Sequence, residues 1–174
     1  MSRHATEPGD EPVSGSRTFC VVVADASRAR VLVLEPETGD APASELVEVA
    51  EITNPLVRAR SAAGRSHEIR HAIRHEIERH FAAEIAAEAA AVWACYPPCE
   101  LILAAGPVML AALRPAIRAR TGGASRGIDP SGIHELARDL VKLSGPRLRD
   151  ELAGAGLVPA RGGAAHRSGL AGWQ

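Results

Sequence analysis

A long helical pattern in the middle of the chain restricts the fold more than any other feature of the sequence. From about Ser66 to Ala94, four isoleucines and a phenylalanine recur at every fourth position, which predicts a helix with one apolar face. Pro97 and Pro98 follow it and should end it, because proline cannot continue a helix. Residues 100–105 then form an aliphatic run typical of a buried strand. This pattern predicts a crossover helix that leads into a strand of an α/β sheet.

Three strand patterns precede this helix. Residues 18–24 and 29–35 are aliphatic and rich in β-branched side chains, and residues 45–52 alternate apolar with acidic side chains. Such alternation is typical of a strand with one face in water. The three patterns together predict a meander.

Two more helices and a fifth strand are predicted downstream. Gly106-Pro107 should open a helix that Pro115 kinks or divides, residues 133–137 form a candidate strand, and a last helix covers residues 144–153. We therefore predict an α/β fold with a mixed sheet of about five strands and helices packed over its faces. This order of elements is typical of ribonuclease-H-like folds.

The chain is long enough for one domain with two tails. Of its 174 residues, 1–16 and 160–174 are rich in glycine, proline or small residues and show no periodicity, so we expect flexible tails around a single domain at 17–159. The three cysteines form no regular disulfide framework. Because the sequence also shows no leader pattern and no long apolar stretch, a cytoplasmic location without a membrane span is expected.

The charge balance argues against a protein that binds nucleic acid over its whole surface. Twenty basic and twenty-one acidic residues give a formal net charge of −1, which provides no overall field for a phosphate backbone. Aromatic residues make up 3%, so a base-stacking platform is not expected. Any contact with RNA would need a local patch, and one stretch concentrates five arginines: Arg58, Arg60, Arg65, Arg70 and Arg74. A solvated charged face is the simpler interpretation of that stretch.

Five short motifs occur in an order known from one family. They are VVVADASRAR at 21–30, EVAEITNP at 48–55 with Arg58 and Arg60 behind it, RHFAAEI at 79–85, LILAAGP at 101–107 and DLVKLS at 139–144. The chain therefore resembles the family of proteins required for attachment to host cells, over roughly residues 18–153. That family is similar to the central domain of archaeal and eukaryotic peptide-chain release factors. The resemblance implies a release-factor-like fold and a connection with the ribosome or RNA.

The sequence departs from release factors at their peptidyl-transfer loop. That loop carries Gly-Gly-Gln, whereas this chain has Gly122-Gly123-Ala124 and Gly162-Gly163-Ala164. Peptide release by that chemistry is therefore not expected.

Asp25 is the candidate catalytic residue. Ribonuclease-H-like enzymes place a metal-binding carboxylate on the first strand, and two-metal hydrolysis needs several carboxylates around the ions. Glu68, Glu76 and Asp139 are available as partners but show no diagnostic spacing. We favour a structural interpretation, in which Asp25 accepts backbone N–H groups within a tight Asp-Ala-Ser-Arg turn.

A histidine repeat marks the start of the long helix. His67, His71 and His75 are spaced by four residues, which aligns them on one face and would allow two of them to bind a metal ion. We expect this face to lie opposite the isoleucine stripe, in solvent, and we predict no metal site. A pH-sensitive surface is an intermediate interpretation.

Other chemical signals are weak. Cys95 and Cys99 flank Tyr-Pro-Pro without a second ligand pair, so we expect buried thiols that serve packing. Gly106-Pro107 could direct N–H groups at an anion, but the sequence contains no nucleotide-binding glycine motif, and no cofactor is predicted.

The leading hypothesis is a non-enzymatic binding or adaptor domain that acts on the ribosome or RNA. Its candidate binding residues are Arg28, Arg30, Arg58, Arg60, Arg65, His71, Arg74 and His75. The alternative is a metal-dependent phosphodiesterase that uses Asp25 with helix carboxylates. Catalytic activity, protein partners and oligomeric state stay open.

Overall fold

The elements of the protein follow one another in the predicted order. The computed structural model describes residues 17–36, 45–57, 67–96, 99–121 and 132–161, with the backbone alone at 67–69 and 121. The elements within these ranges are β1 (Thr18–Ala24), β2 (Arg28–Leu34), β3 (Leu46–Thr53), α1 (His67–Ala94), β4 (Cys99–Ala105), α2 (Pro107–Thr121), β5 (Ile133–Leu136) and α3 (Gly145–Gly154). The predicted α/β class is confirmed. The predicted tails lie outside the described residues, apart from residues 160 and 161, as do Gly122-Gly123-Ala124 and Gly162-Gly163-Ala164.

The five described strands form one mixed sheet in the order β3-β2-β1-β4-β5. The first three strands pair antiparallel, which confirms the meander. β4 pairs parallel with both β1 and β5. The carboxyl ends of β1, β4 and β5 therefore lie at one edge of the sheet, called here the carboxyl edge. Asp25, Gly106 and residues 137–139 follow those strands at this edge.

Both faces of the sheet are covered because the central strands carry aliphatic side chains on both sides. On β1, Cys20, Val22 and Ala24 pack against α1 and α2. Phe19 and the intervening valines pack on the other face, against α3 and the segments around it. Helices α1 and α2 thus cover one face and α3 covers the other. Each large aliphatic side chain buried in these layers stabilises the fold by about 1.5–3 kcal/mol.

The apolar stripe of α1 is buried over only part of its predicted length. Phe81 and Ile85 are 1% and 0% exposed, whereas Ile73 is 37% exposed. A helix turns through about 100° per residue, so a strict four-residue repeat drifts by about 40° at each step. The stripe therefore winds around the helix and coincides with the core near Phe81. Among the described members of the predicted stripe, Ile73 is therefore the exception to burial, and small side chains at Ala82 and Ala86 complete the contact with the sheet.

Helix α1 is much longer than the strands that it covers. Its 28 residues extend about 42 Å, whereas the seven residues of β1 extend about 23 Å. Since α1 connects the carboxyl edge, where β3 ends, to the opposite edge, where β4 begins, its first turns extend beyond the carboxyl edge. Residues 70–76 are all exposed, in agreement with this geometry. These residues are called here the α1 overhang.

Pro115 does not divide α2, contrary to one of the predicted outcomes. The helix is continuous from Pro107 to Thr121. Pro115 lies on the exposed side of α2, and the carbonyl that loses its hydrogen bond belongs to Ala111, which is also exposed and open to water. The buried side of α2 carries Leu113 and Ile117, which hold the helix on the sheet.

Candidate functional site

A cleft of about 580 Å³ opens at the carboxyl edge, between the start of α1 and the start of α2. The β1–β2 turn forms its floor, and the loop after β5 contributes one carboxylate. Its lining residues are Asp25, Ala26, His71, Arg74, His75, Glu78, Gly106, Pro107, Val108, Met109 and Asp139. We call it the carboxyl-edge cleft.

One face of α1 forms a wall of this cleft. His71, Arg74, His75 and Glu78 have the spacing of neighbours on a single helix face, and the same face carries Phe81 into the core one turn later. His71 and His75 are exposed, as predicted. The predicted direction of this face is wrong: it is the face of α1 that covers the sheet further along the helix, and the two histidines are exposed because the sheet ends beneath them.

The side chains of His71 and His75 lie against each other in the cleft. Their ring centroids are 4.9 Å apart, and the ring planes are inclined by 56°. Arg74 lies between them in the sequence and lines the same cleft.

Asp25 stabilises the β1–β2 turn. Its Oδ1 accepts hydrogen bonds from the backbone N–H of Ser27 at 2.7 Å, the Ser27 hydroxyl at 2.7 Å and the backbone N–H of Arg28 at 2.9 Å. Burial alone would raise the pKa of Asp25, but these hydrogen bonds and the nearby Arg28 charge hold that pKa below its ordinary value. The structure thus shows the backbone contacts that the structural interpretation of Asp25 predicted.

Asn54, the residue after β3, fixes the same turn, a role that the sequence analysis missed. The side chain is 5% exposed. Its Nδ2 donates to the carbonyl of Ala26 at 3.0 Å, and its Oδ1 accepts from the backbone N–H of Leu56 at 3.1 Å. An Asn-Pro pair such as 54–55 is a turn signal, but the partner of the Asn54 amide could be found only in three dimensions.

The amino end of α2 closes another side of the cleft. Gly106 accepts the first helical hydrogen bond, from the N–H of Leu110 at 3.0 Å, and Pro107 occupies the first turn, where its missing N–H costs nothing. The N–H groups of Val108 and Met109 precede that bond, so they have no acceptor within the helix. Both residues line the cleft.

The described carboxylates do not assemble into a two-metal centre. Asp139 lines the cleft, but its Oδ1 accepts the backbone N–H of Val141 at 3.3 Å. Glu76 pairs with Arg79 at 3.1 Å, and the side chain of Glu68 lies outside the described part of α1. Within the described ranges, no group of three or more histidine, cysteine or acidic residues is placed to hold a metal ion. The phosphodiesterase alternative therefore gains no support from the geometry.

The structure brings together three of the eight predicted binding residues in the cleft: His71, Arg74 and His75. Arg28 lies at the carboxyl edge, 39% exposed, with Glu51 4.0 Å away. Arg58, Arg60 and Arg65 lie outside the described residues.

Arg30, the remaining predicted binding residue, has its contacts within the fold. Its side chain is 14% exposed on the α3 side of the sheet, and its Nε donates to Glu48 at 2.7 Å. Its Nη1 donates to the carbonyls of Val141 at 3.1 Å and Leu143 at 2.7 Å. Arg30 thus ties β2 to the segment that leads from Asp139 into α3.

The cysteines differ from the prediction of buried packing thiols. Cys95 is exposed and Cys99 is half-buried, whereas Cys20 is fully buried. Burial raises the pKa of Cys20 to about 12 and that of Cys99 to about 11. These two thiols therefore stay protonated at neutral pH and are poor nucleophiles.

A second cavity of about 360 Å³ lies at the opposite edge of the sheet. Glu100 is central to it, with Arg17 on one carboxylate oxygen and His134 Nε2 at 3.0 Å from the other. This network is partly exposed and joins β4 to β5 and to the residue before β1.

None of the described helices has both the length and the apolar character needed to cross a bilayer.

Comparison with known proteins gives one match, to a family model. No curated protein matches the sequence significantly. A family model described as "Protein required for attachment to host cells" matches residues 20–152, which is most of the chain. This span includes every described strand except the first two residues of β1, and the whole lining of the carboxyl-edge cleft. The chain therefore belongs to the family of proteins required for attachment to host cells.

Proposed function

We propose that this member of the host-attachment family is a non-enzymatic binding domain that contacts RNA, on the ribosome, through the α1 overhang at the mouth of the carboxyl-edge cleft. The observation that carries the proposal is the position of α1. Its first turns extend beyond the sheet and present Arg70, His71, Arg74 and His75 as exposed side chains. Arginine and histidine side chains on an exposed helix are donors that suit phosphate oxygens.

The charges around the overhang favour a few phosphate contacts over an extended duplex footprint. Within the overhang, Arg70 and Arg74 contribute two positive charges against the one negative charge of Glu76, and carboxylates outnumber arginines in the lining of the cleft behind it. The carboxylate of Asp25 is directed into its own turn. A small number of phosphate contacts gives weak binding with a shallow dependence on salt concentration. This is the behaviour expected of an adaptor that docks on RNA within a larger particle.

The ribosomal partner is supported by the order of elements. A three-strand meander followed by two strand–helix units is the order of ribonuclease-H-like folds and resembles the central domain of release factors. In this proposal the protein acts in the cytoplasm. The single domain at 17–159 is the unit that carries this activity.

The proposal is tested by fluorescence anisotropy with a labelled single-stranded RNA and the full chain, titrated at several salt concentrations. Arg74→Gln should weaken binding several-fold and reduce the slope of log affinity against log salt by about 1, as expected for one lost phosphate contact. Arg79→Gln is the matched control because Arg79 is an exposed arginine of the same helix, pairs with Glu76 and does not line the cleft.

Three results would contradict the proposal. The first is an absence of RNA binding by the unmodified chain. The second is equal binding by the two arginine variants. The third is metal-dependent cleavage of the labelled RNA that Asp25→Asn abolishes, which would instead favour a phosphodiesterase.

A further inference from the structure

We infer that His71 and His75 form a binding site for one divalent transition-metal ion of the Zn²⁺ class. The inference does not rest on RNA binding and is tested without RNA. It departs from the expectation of no metal site, because the distance between the two rings could not be read from the sequence.

The spacing of the two rings allows both imidazoles to reach one ion. A Zn²⁺–nitrogen bond of about 2.0–2.1 Å and tetrahedral coordination place the centroids of two ligating imidazoles roughly 5 Å apart. The centroids of His71 and His75 are 4.9 Å apart. The 56° inclination of the ring planes also separates this pair from two flat stacked rings. The residues are one helical turn apart, so the backbone already holds the two rings as neighbours.

The surroundings favour a cation. The cleft that contains both rings is also lined by three carboxylates, those of Asp25, Glu78 and Asp139, against one arginine, Arg74. With neutral imidazoles the formal charge of the lining is therefore negative. Imidazole nitrogen is a preferred ligand of Zn²⁺, Ni²⁺ and Cu²⁺, whereas Mg²⁺ prefers oxygen ligands and retains its water.

The site is open. Since the described residues place no third histidine, cysteine or acidic side chain on the ion, water or a bound ligand fills its remaining positions. An open ion with two protein ligands, at the mouth of a cleft of about 580 Å³, can accept an oxygen or nitrogen donor from a second molecule. The ion would also join two turns of the α1 overhang, where the sheet gives no support.

The test is isothermal titration of tag-free full-length protein with Zn²⁺ alone, and with Mg²⁺ as the comparison ion. We expect one Zn²⁺ per chain and no binding of Mg²⁺. Each of His71→Ala and His75→Ala removes half of the protein ligands, so each should lower the affinity by about tenfold or more. His80→Ala is the matched control, because His80 is an exposed histidine of the same helix that pairs with Glu84 at 3.7 Å and does not line the cleft.

A fourth variant separates this site from another helical pair. The sequence places His67 four residues before His71. If His67→Ala abolishes Zn²⁺ binding and His75→Ala does not, the assignment is overturned. It is also overturned if both variants at 71 and 75 bind as the unmodified protein does, or if His80→Ala loses binding equally.

Thermal unfolding provides a second readout, and circular dichroism checks that each variant is folded. Zn²⁺ should raise the melting temperature of the unmodified protein and of His80→Ala, and it should leave the melting temperatures of His71→Ala and His75→Ala unchanged.

Discussion

Replacing Asp25 by alanine should destabilise the fold without removing a catalytic group. The substitution leaves the backbone N–H groups of Ser27 and Arg28 without the oxygen that lies 2.7 and 2.9 Å from them. It also removes the acceptor of the Ser27 hydroxyl. A hydrogen bond to a charged group contributes about 1.5–3 kcal/mol when it is buried and less when water can replace it. Because this turn is only half-buried, we expect a total loss of about 2–3 kcal/mol. Asp25→Asn keeps an acceptor oxygen and should lose about 1 kcal/mol.

The assay is urea unfolding followed by circular dichroism. Asp150→Asn is the control, because Asp150 is 69% exposed and pairs with Arg161 at 3.7 Å, an arrangement that contributes little. If Asp25→Ala unfolds within about 0.5 kcal/mol of the unmodified protein, the structural role assigned to Asp25 is refuted.

The pH dependence of the same variants gives a second check. Burial opposes ionisation of Asp25, yet its hydrogen bonds outweigh burial and hold its pKa in the folded state below the ordinary value. Its stabilising contribution is therefore complete above the unfolded pKa of about 3.9 and is lost as pH falls through the lower folded pKa. The stability gap between the unmodified protein and Asp25→Asn should be constant from pH 7 to about pH 5 and should shrink below pH 4. A gap that shrinks as pH rises would contradict the sign of this shift.

Three further substitutions test the parts of the fold that position the cleft. Asn54→Ala removes a buried amide that bonds to two backbone groups and should cost about 2–4 kcal/mol, measured by urea unfolding. Arg30→Ala should cost about 2–3 kcal/mol, since its guanidinium bonds to carbonyls on the α3 side of the sheet. It should leave RNA affinity within about twofold in the anisotropy assay. A large loss of affinity in a stable Arg30→Ala protein would show a direct binding role. Leu113→Ala, at a position with 0% exposure, should cost about 2–5 kcal/mol by calorimetry, and a change below 1 kcal/mol would mean that α2 is not packed as described.

The elements of the fold could be predicted because their signals are local. The aliphatic run of β1 is buried on both sides, and its predicted range, 18–24, agrees with the observed strand. The two prolines after α1 likewise limited the end of that helix, which stops at Ala94. Pro115 was misleading for a physical reason: a proline on the exposed side of a helix removes a hydrogen bond that water can replace.

The direction of the histidine face could not be predicted from an apolar repeat that drifts around the helix. The isoleucine at 73 suggested a core face that the sheet does not reach, and the true core face contains alanines, which carry little pattern signal. The overhang follows from comparing the length of α1 with the length of β1, a comparison that requires the pairing of the strands. The contact of Asn54 with Ala26 spans 28 residues and could be found only from the assembled sheet.

Hydrogen–deuterium exchange of the full chain with and without single-stranded RNA tests the central claim most directly. It maps the contact surface without any substitution. If the α1 overhang at the carboxyl-edge cleft is the RNA-binding surface, RNA should slow amide exchange in peptides that cover residues 70–78 and 106–110. Exchange in α3 and β3 should stay unchanged. Protection confined to α3 or β3, or an identical exchange pattern at saturating RNA, would contradict the account.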